Sequence, residues 1–173
     1  MTINEVRQFA EEKIQEWIPT HGYTFKFDNA KRRFGQCNYN KKTISISKPL
    51  TLANLEFNEF QIKDTILHEI AHARAFILYG RQAANHGRLW KQVCIEIGAK
   101  PQVTYSGDDI KRVEGKFLYV CPNCGLEIRY HKRLKLTRAC GDCCRKFNNG
   151  KFSYDYVLQY KPNYEFAKIV ENV

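Results

Sequence analysis

No apolar run in this 173-residue chain approaches the roughly 18–20 residues that a membrane-spanning helix needs, so no bilayer span and no membrane partner are expected. The N-terminal stretch MTINEVRQFAEEKIQEWIP carries acids throughout and lacks the apolar core of an export signal. The expected location is therefore cytoplasmic. In such a reducing compartment the 7 cysteines are better read as metal ligands or free thiols than as disulfides. Internal repeats and low-complexity tracts are also missing. With 43% hydrophobic and 27% charged residues, the composition is that of a folded globular chain, neither disordered nor collagen-like. Its length suits one compact domain, alone or with a small appendage.

Positive charge is in excess. The formal net charge is +10, and it is unevenly spread. Residues 1–110 hold 15 Lys+Arg against 12 Asp+Glu, whereas residues 111–173 hold 13 against 6. A basic C-terminal third is either a solvated surface or a surface that meets a polyanion, for which a phosphate backbone is the natural candidate.

Periodicity predicts a helix over residues 3–18, with Ile3, Val6, Phe9, Ala10, Ile14, Trp17 and Ile18 as its stripe, ended by Pro19 and Gly22. The segments YTFKFDN, RRFGQCNYN and KKTISISKP read as short strands, with Asn40-Lys41-Lys42 turning the second into the third. A second helix is expected over 58–78, with Ile62, Ile66, Ile70, Ala73 and Ile77 on one buried face. A third is expected over 86–97, stopped by Gly98 and Pro101. SGDDIKRVEGK reads as a linker, which places a domain boundary near residue 110. Beyond it FLYV, LEIRYH and FSYDYVLQY read as strands flanking cysteine pairs, with no long helix.

The expected second helix contains His68-Glu69-Ile70-Ala71-His72. Four residues apart, His68 and His72 project from one face about one turn from each other, so two ring nitrogens can converge on one metal. Glu69 lies about 100° further round the helix, placed to act on a metal-activated water and not on the metal itself. Two ligands and a general base within five residues form the His-Glu-x-x-His pattern of metalloproteases. A catalytic zinc needs a third protein ligand. His86 is the favoured one, with Gly87 letting the backbone pass close to the metal, and Glu96 is the alternative. Ala75 and Leu78 exclude the longer metzincin pattern.

Cys121-Pro122-Asn123-Cys124 and Cys140-Gly141-Asp142-Cys143 are two Cys-x-x-Cys knuckles at the spacing of a four-cysteine zinc ribbon. Each is expected to be a tight turn with glycine supplying the turn conformation. Four thiolates close the coordination shell, so this second zinc is structural. Cys143 is favoured as the fourth ligand over its neighbour Cys144. His131 is at most a stray ligand beside four cysteines. Cys37 and Cys94, in apolar surroundings, read as ordinary buried thiols. Around the knuckles, Arg129, Lys132, Arg133, Lys135 and Arg138 are candidate nucleic-acid contacts. Tyr119, Tyr130, Phe147, Phe152 and Tyr154 are interleaved with them. Flat rings among cations fit single-stranded nucleic acid, although most of these rings are expected to pack the ribbon core.

The order of HEIAH at 68–72, NHGRLWKQV from 85 and the paired knuckles resembles the SprT family, bacterial and phage relatives of the Spartan metalloprotease. GQCNYNKKTISISKPL is similar to the strand segment that leads into that family's zinc helix. The resemblance implies an α+β fold, a zincin-like metalloprotease domain over 1–110 with a zinc ribbon over 111–173. It also implies His68, His72 and His86 as zinc ligands, Glu69 as catalytic base, and DNA as partner. The expected activity is DNA-dependent cleavage of proteins bound or crosslinked to DNA, single-stranded regions being favoured. A rival from another class is a DNA-binding regulator whose zinc sites are both structural, against which the general base Glu69 argues.

Overall fold

The computed structural model describes residues 1–103 and 110–162. The chain forms two compact units, Met1–Val113 and Glu114–Val173. No helix among the described residues is long and apolar enough to cross a membrane.

In the first unit, α1 (Ile3–Trp17) starts at a capping box, Glu5 N–H donating to Thr2 Oγ1 at 3.3 Å and Thr2 N–H to Glu5 Oε2 at 2.6 Å. Its stripe buries Val6, Ala10 and Ile14. Three strands follow, β1 (Thr24–Asp28), β2 (Gly35–Asn38) and β3 (Thr43–Ser47), in the spatial order β1-β3-β2. The β2–β3 hairpin is antiparallel, closed through Lys42 at φ 45°, whereas β1 runs parallel to β3. Central β3 is buried on both faces, so its alternating TISIS does not mark a wet side. Its hydroxyls are satisfied instead: Ser45 Oγ donates to Asp28 Oδ2 at 2.9 Å and Ser47 Oγ to the Ala30 carbonyl at 2.5 Å.

Ser47 then caps a helix that periodicity does not reveal, α2 (Lys48–Asn54), where Pro49 sits in the first turn and needs no amide donor. Asn58 caps α3 (Glu59–Tyr79), the helix around which the unit is built; it packs on α1, β2 and β3 and on α4 (Arg88–Glu96). Ile62, Ile66, Ile70 and Ala73 are fully buried, each isoleucine contributing about 1.5–3 kcal/mol relative to exposure. The expectation of one buried stripe is corrected. Gln61, Asp64, Thr65, Ala71 and Ala75 are buried as well, while Ile77 is only half-buried, because α3 is covered on most of its sides. The following helix begins at Arg88, leaving His86 in the connection before it.

Residues 106–109 of the expected linker lie outside the described residues. Residues 110–113 are no free linker. Lys111 exchanges two backbone bonds with the buried Asn54 side chain, at 2.8 and 2.9 Å, and Ile110 and Val113 pack against the core.

In the second unit, β4 (Phe117–Val120) lies between β5 (Glu127–Tyr130) and β6 (Gln159–Lys161), antiparallel to both. FSYDYVLQY is therefore a strand only at its end, its middle being a 3-10 turn at Tyr154–Tyr156. The second knuckle is not a glycine-dependent turn. It opens α5 (Gly141–Phe147), and of the glycines beside the two knuckles it is Gly125, just after the first, that has a positive φ. The core here is Tyr119, Leu158 and the cysteines Cys121, Cys140 and Cys143.

Candidate metal centres

Helical spacing puts His68 and His72 on the same side of α3, and the connection after the 3-10 turn at Gly80–Ala83 returns His86 to them. His86 Nε2 lies 3.2 Å from His68 Nε2 and 3.0 Å from His72 Nε2. Three ring nitrogens bound to one zinc at about 2.0–2.1 Å would stand roughly 3.3 Å apart, so this is a ligand spacing. Burial, reinforced by the neighbouring rings, holds His68 down to about 4 and His72 down to about 3, and burial also lowers His86. At neutral pH all three are uncharged, the form that ligates metal. Trp90, fully buried on α4, floors the cluster, its ring centroid 4.6 Å from His86, 4.7 Å from His68 and 5.1 Å from His72. The donor chemistry and spacing fit a metal ion.

Glu69 is buried behind this triad and covered by β2. Burial pushes its carboxyl up to about 8, while the Cys37 backbone N–H and the Arg33 charge pull the other way. A cleft of about 380 Å³ exposes Glu69, the three histidines, Cys37 and Tyr39 together. Cys37 packs against the apolar core as expected but is only partly buried, and it also walls the cleft, its thiol raised by burial and by Glu69. Cys94 is fully buried, as expected. Glu96, the alternative third ligand, is engaged elsewhere, accepting from Arg74 Nη2 at 2.6 Å. Sequence reasoning missed Gly35, Cys37, Tyr39 and Trp90. A lone glycine in the strand-like GQCNYN was the one available signal, since it marks close backbone approach.

In the second unit Cys121, Cys124, Cys140 and Cys143 bring their sulfurs within 4.8 Å of one another. Cys121–Cys143 is 3.7 Å and Cys124–Cys140 is 3.8 Å, against the roughly 3.8 Å edge of a tetrahedron with metal–sulfur bonds of about 2.3 Å. Burial raises Cys121, but the backbone N–H groups of Cys124 and Asn123 outweigh it and hold the thiol down to about 7. Asn123 Nδ2 donates to Cys143 at 3.4 Å, yet burial and the crowd of sulfurs push that thiol up to about 12. Four thiolates here need a cation among them. Cys144 and His131 do not belong to the set.

Of the candidate nucleic-acid contacts, Lys132, Arg133, Lys135 and Arg138 are exposed, Arg133 lying 5.1 Å from the Tyr160 ring. Arg129 is partly buried and paired with Glu114 at 3.2 Å, so it is the least free of the five. The rings also differ from expectation. Tyr119 is buried, but Phe147, Phe152 and Tyr154 are 55%, 49% and 82% exposed, too wet to be counted as core.

A family model for SprT-like proteins matches residues 3–111. Protein SprT of Actinobacillus succinogenes is 32% identical over 126 residues, which cover 70% of this chain and 69% of that protein. The germ cell nuclear acidic-1 protein of Caenorhabditis elegans is 32% identical over 126 residues, 65% of this chain but 22% of that longer protein. Among solved structures, the metallopeptidase zymogen jannalysin of Methanocaldococcus jannaschii aligns with a TM-score of 0.42 and 16% identity, covering 60% of this chain and 85% of that one.

Proposed function

The chain belongs to the SprT-like family, and from that premise we propose that it is a DNA-dependent zinc endopeptidase acting on proteins bound or crosslinked to DNA. One observation carries the reading: three neutral imidazoles converge at metal-ligand spacing with the Glu69 carboxyl beside them in one open cleft. A purely structural site has no use for that carboxyl. Zinc held by His68, His72 and His86 would supply Lewis acidity towards a carbonyl oxygen and acidify a water. The positive charge of that ion would favour the ionised form of the buried Glu69 carboxyl, which as general base takes the proton of the attacking water and returns it to the departing amine. The Cys37 N–H and the β2 backbone hold that carboxyl in place, and Trp90 fixes the three rings.

The four-cysteine cluster would hold a structural zinc. Around it, exposed Lys132, Arg133, Lys135 and Arg138 would meet phosphates, while Phe147, Phe152 and Tyr154 offer faces to unstacked bases. The test is cleavage of a basic DNA-bound protein with and without single-stranded DNA, wild type against Glu69→Gln. Cleavage that needs both DNA and Glu69 is expected. No cleavage under any DNA condition, from protein carrying two zinc ions, would replace the protease with a DNA-binding regulator.

A further inference from the structure

A cleft of about 310 Å³ shares His68 and Glu69 with the metal-site cleft but extends to Arg32, Arg33 and Arg112. Phe34, Val103 and Ile110 give it an apolar lining. The three cations are not equivalent. Arg33 Nη2 donates to Asp28 Oδ2 at 2.8 Å, so this cation is already engaged. Arg32 and Arg112 are exposed and pair with no acid among the described residues. Among the described residues, two guanidinium groups without an acidic partner therefore outweigh the one carboxylate on the wall, Glu69.

Whatever fills this cleft lies against Glu69 and His68. Under the protease reading, on which this argument rests, such an occupant is substrate next to the bond being cleaved. The cleft has room for a side chain with the backbone that carries it, offers apolar contact from Phe34, Val103 and Ile110 and guanidinium groups beside them, and guanidinium recognises carboxylate best. We infer that this cleft is a subsite for an aspartate or glutamate beside the scissile bond, its carboxylate held by Arg32 and Arg112 and its methylenes by Phe34, Val103 and Ile110. A nucleic-acid strand fits less well, because a backbone needs an open track of cations and stacking rings, and this is a bounded cleft of mixed lining in which one of three cations is already paired with Asp28.

The test uses the full chain and peptides built on one cleavage site mapped in a susceptible protein, with Glu, Gln or Lys placed in turn at each flanking position. At one position Glu is expected to give kcat/KM about 10-fold above Gln, the worth of a charge-assisted bond. The double reversal Arg32→Glu with Arg112→Glu, at two exposed positions that leave the core untouched, is expected to turn that preference towards Lys. Equal cleavage of the Glu and Gln peptides at every position overturns the inference, and so does a Glu preference that survives the reversal. A double reversal that loses DNA affinity while every peptide is cleaved as before reassigns the arginines to nucleic acid. Failure of the protease reading is separable. If zinc-loaded wild type cleaves nothing, anisotropy of labelled peptides on Glu69→Gln still decides: tighter Glu-peptide binding that the reversal abolishes keeps the subsite, and equal binding removes it.

Discussion

Gly35 on β2 lies so close to Glu69 on α3 that a methyl group at position 35 would stand 2.5 Å from Glu69 Oε1 and 2.8 Å from Thr65 Cγ2. Nothing in the local conformation of Gly35 demands glycine; the demand is for space. The Glu69 and Thr65 side chains of the helix press on the strand backbone, and the Cys37 N–H reaches the carboxyl from the same strand.

Gly35→Ala tests this packing. The added methyl must displace either β2 or the Glu69 side chain, and a shift of about 1 Å at a catalytic group can cost about 100-fold in rate. The expected result is a loss of that order in kcat with zinc content unchanged. Metal analysis beside the cleavage assay checks both parts, and full activity in the alanine variant would show that Glu69 tolerates displacement.

Zinc stoichiometry tests the two centres one at a time. Wild type is expected to hold two zinc ions, His86→Ala and Cys143→Ser one each, and Cys144→Ser still two, because Cys144 stands outside the sulfur cluster. Elemental analysis after gel filtration reads this directly. A Cys144→Ser protein with one zinc would exchange the roles of the two adjacent cysteines.

Much of the fold was legible because it rests on local periodicity. The stripe of α1, the long helix over 58–78 and the alternation of the first three strands all announce themselves in the sequence. The misses have physical causes. In α2, Pro49 looked like the end of a strand, yet the Ser47 cap and the first-turn proline start a helix. In α5, Cys-Gly-Asp-Cys looked like a turn, yet it forms the first turn of a helix. At the histidine triad, spacing alone pairs His68 with His72, whereas Gly35, Cys37 and Trp90 reach the site through tertiary packing that no local pattern records. Arg129 read as a free cation because its partner, Glu114, comes from a different part of the chain.

Asp28, which is not among the candidate metal ligands, supplies a pH dependence of its own. Burial alone would raise its carboxyl, but the Ala30 N–H at 2.9 Å, Arg33 at 2.8 Å and Ser45 Oγ at 2.9 Å outweigh it and hold it below the ordinary value. Folding thus favours the ionised form. The stability this contributes is present in full above the unfolded carboxylate pKa of about 3.9 and is lost as pH falls through the lower folded value. Asp28→Asn is expected to cost on the order of 1 kcal/mol at neutral pH, the net worth of such partly exposed bonds. The gap from wild type should close below about pH 4. Thermal melts across that range provide the check, and a gap that widened in acid would refute the assignment.

Chelation separates the two units by what holds each together. The first buries Val6, Ile44, Ile46, Ile62, Ile66, Ile70 and Trp90 at 0% exposure, a continuous apolar core that exists without any metal. The second has Tyr119 and Leu158 with three cysteines as its buried core, and those cysteines are the proposed ligands. With the metal removed, its thiols lose their reason to converge, and the remaining apolar burial is too small to offset the entropy of ordering the segment. A strong chelator is therefore expected to collapse the amide spectrum of residues 114–162 to random-coil positions while the resonances of α1 and α3 stay dispersed. Activity should fall as well, but it cannot discriminate, since the histidine site loses its metal too. The spectrum can: a second unit that stays dispersed without metal would mean that its small core suffices. A first unit that collapses with it would mean that the triad's metal, and not the isoleucine core around α3, holds that unit folded.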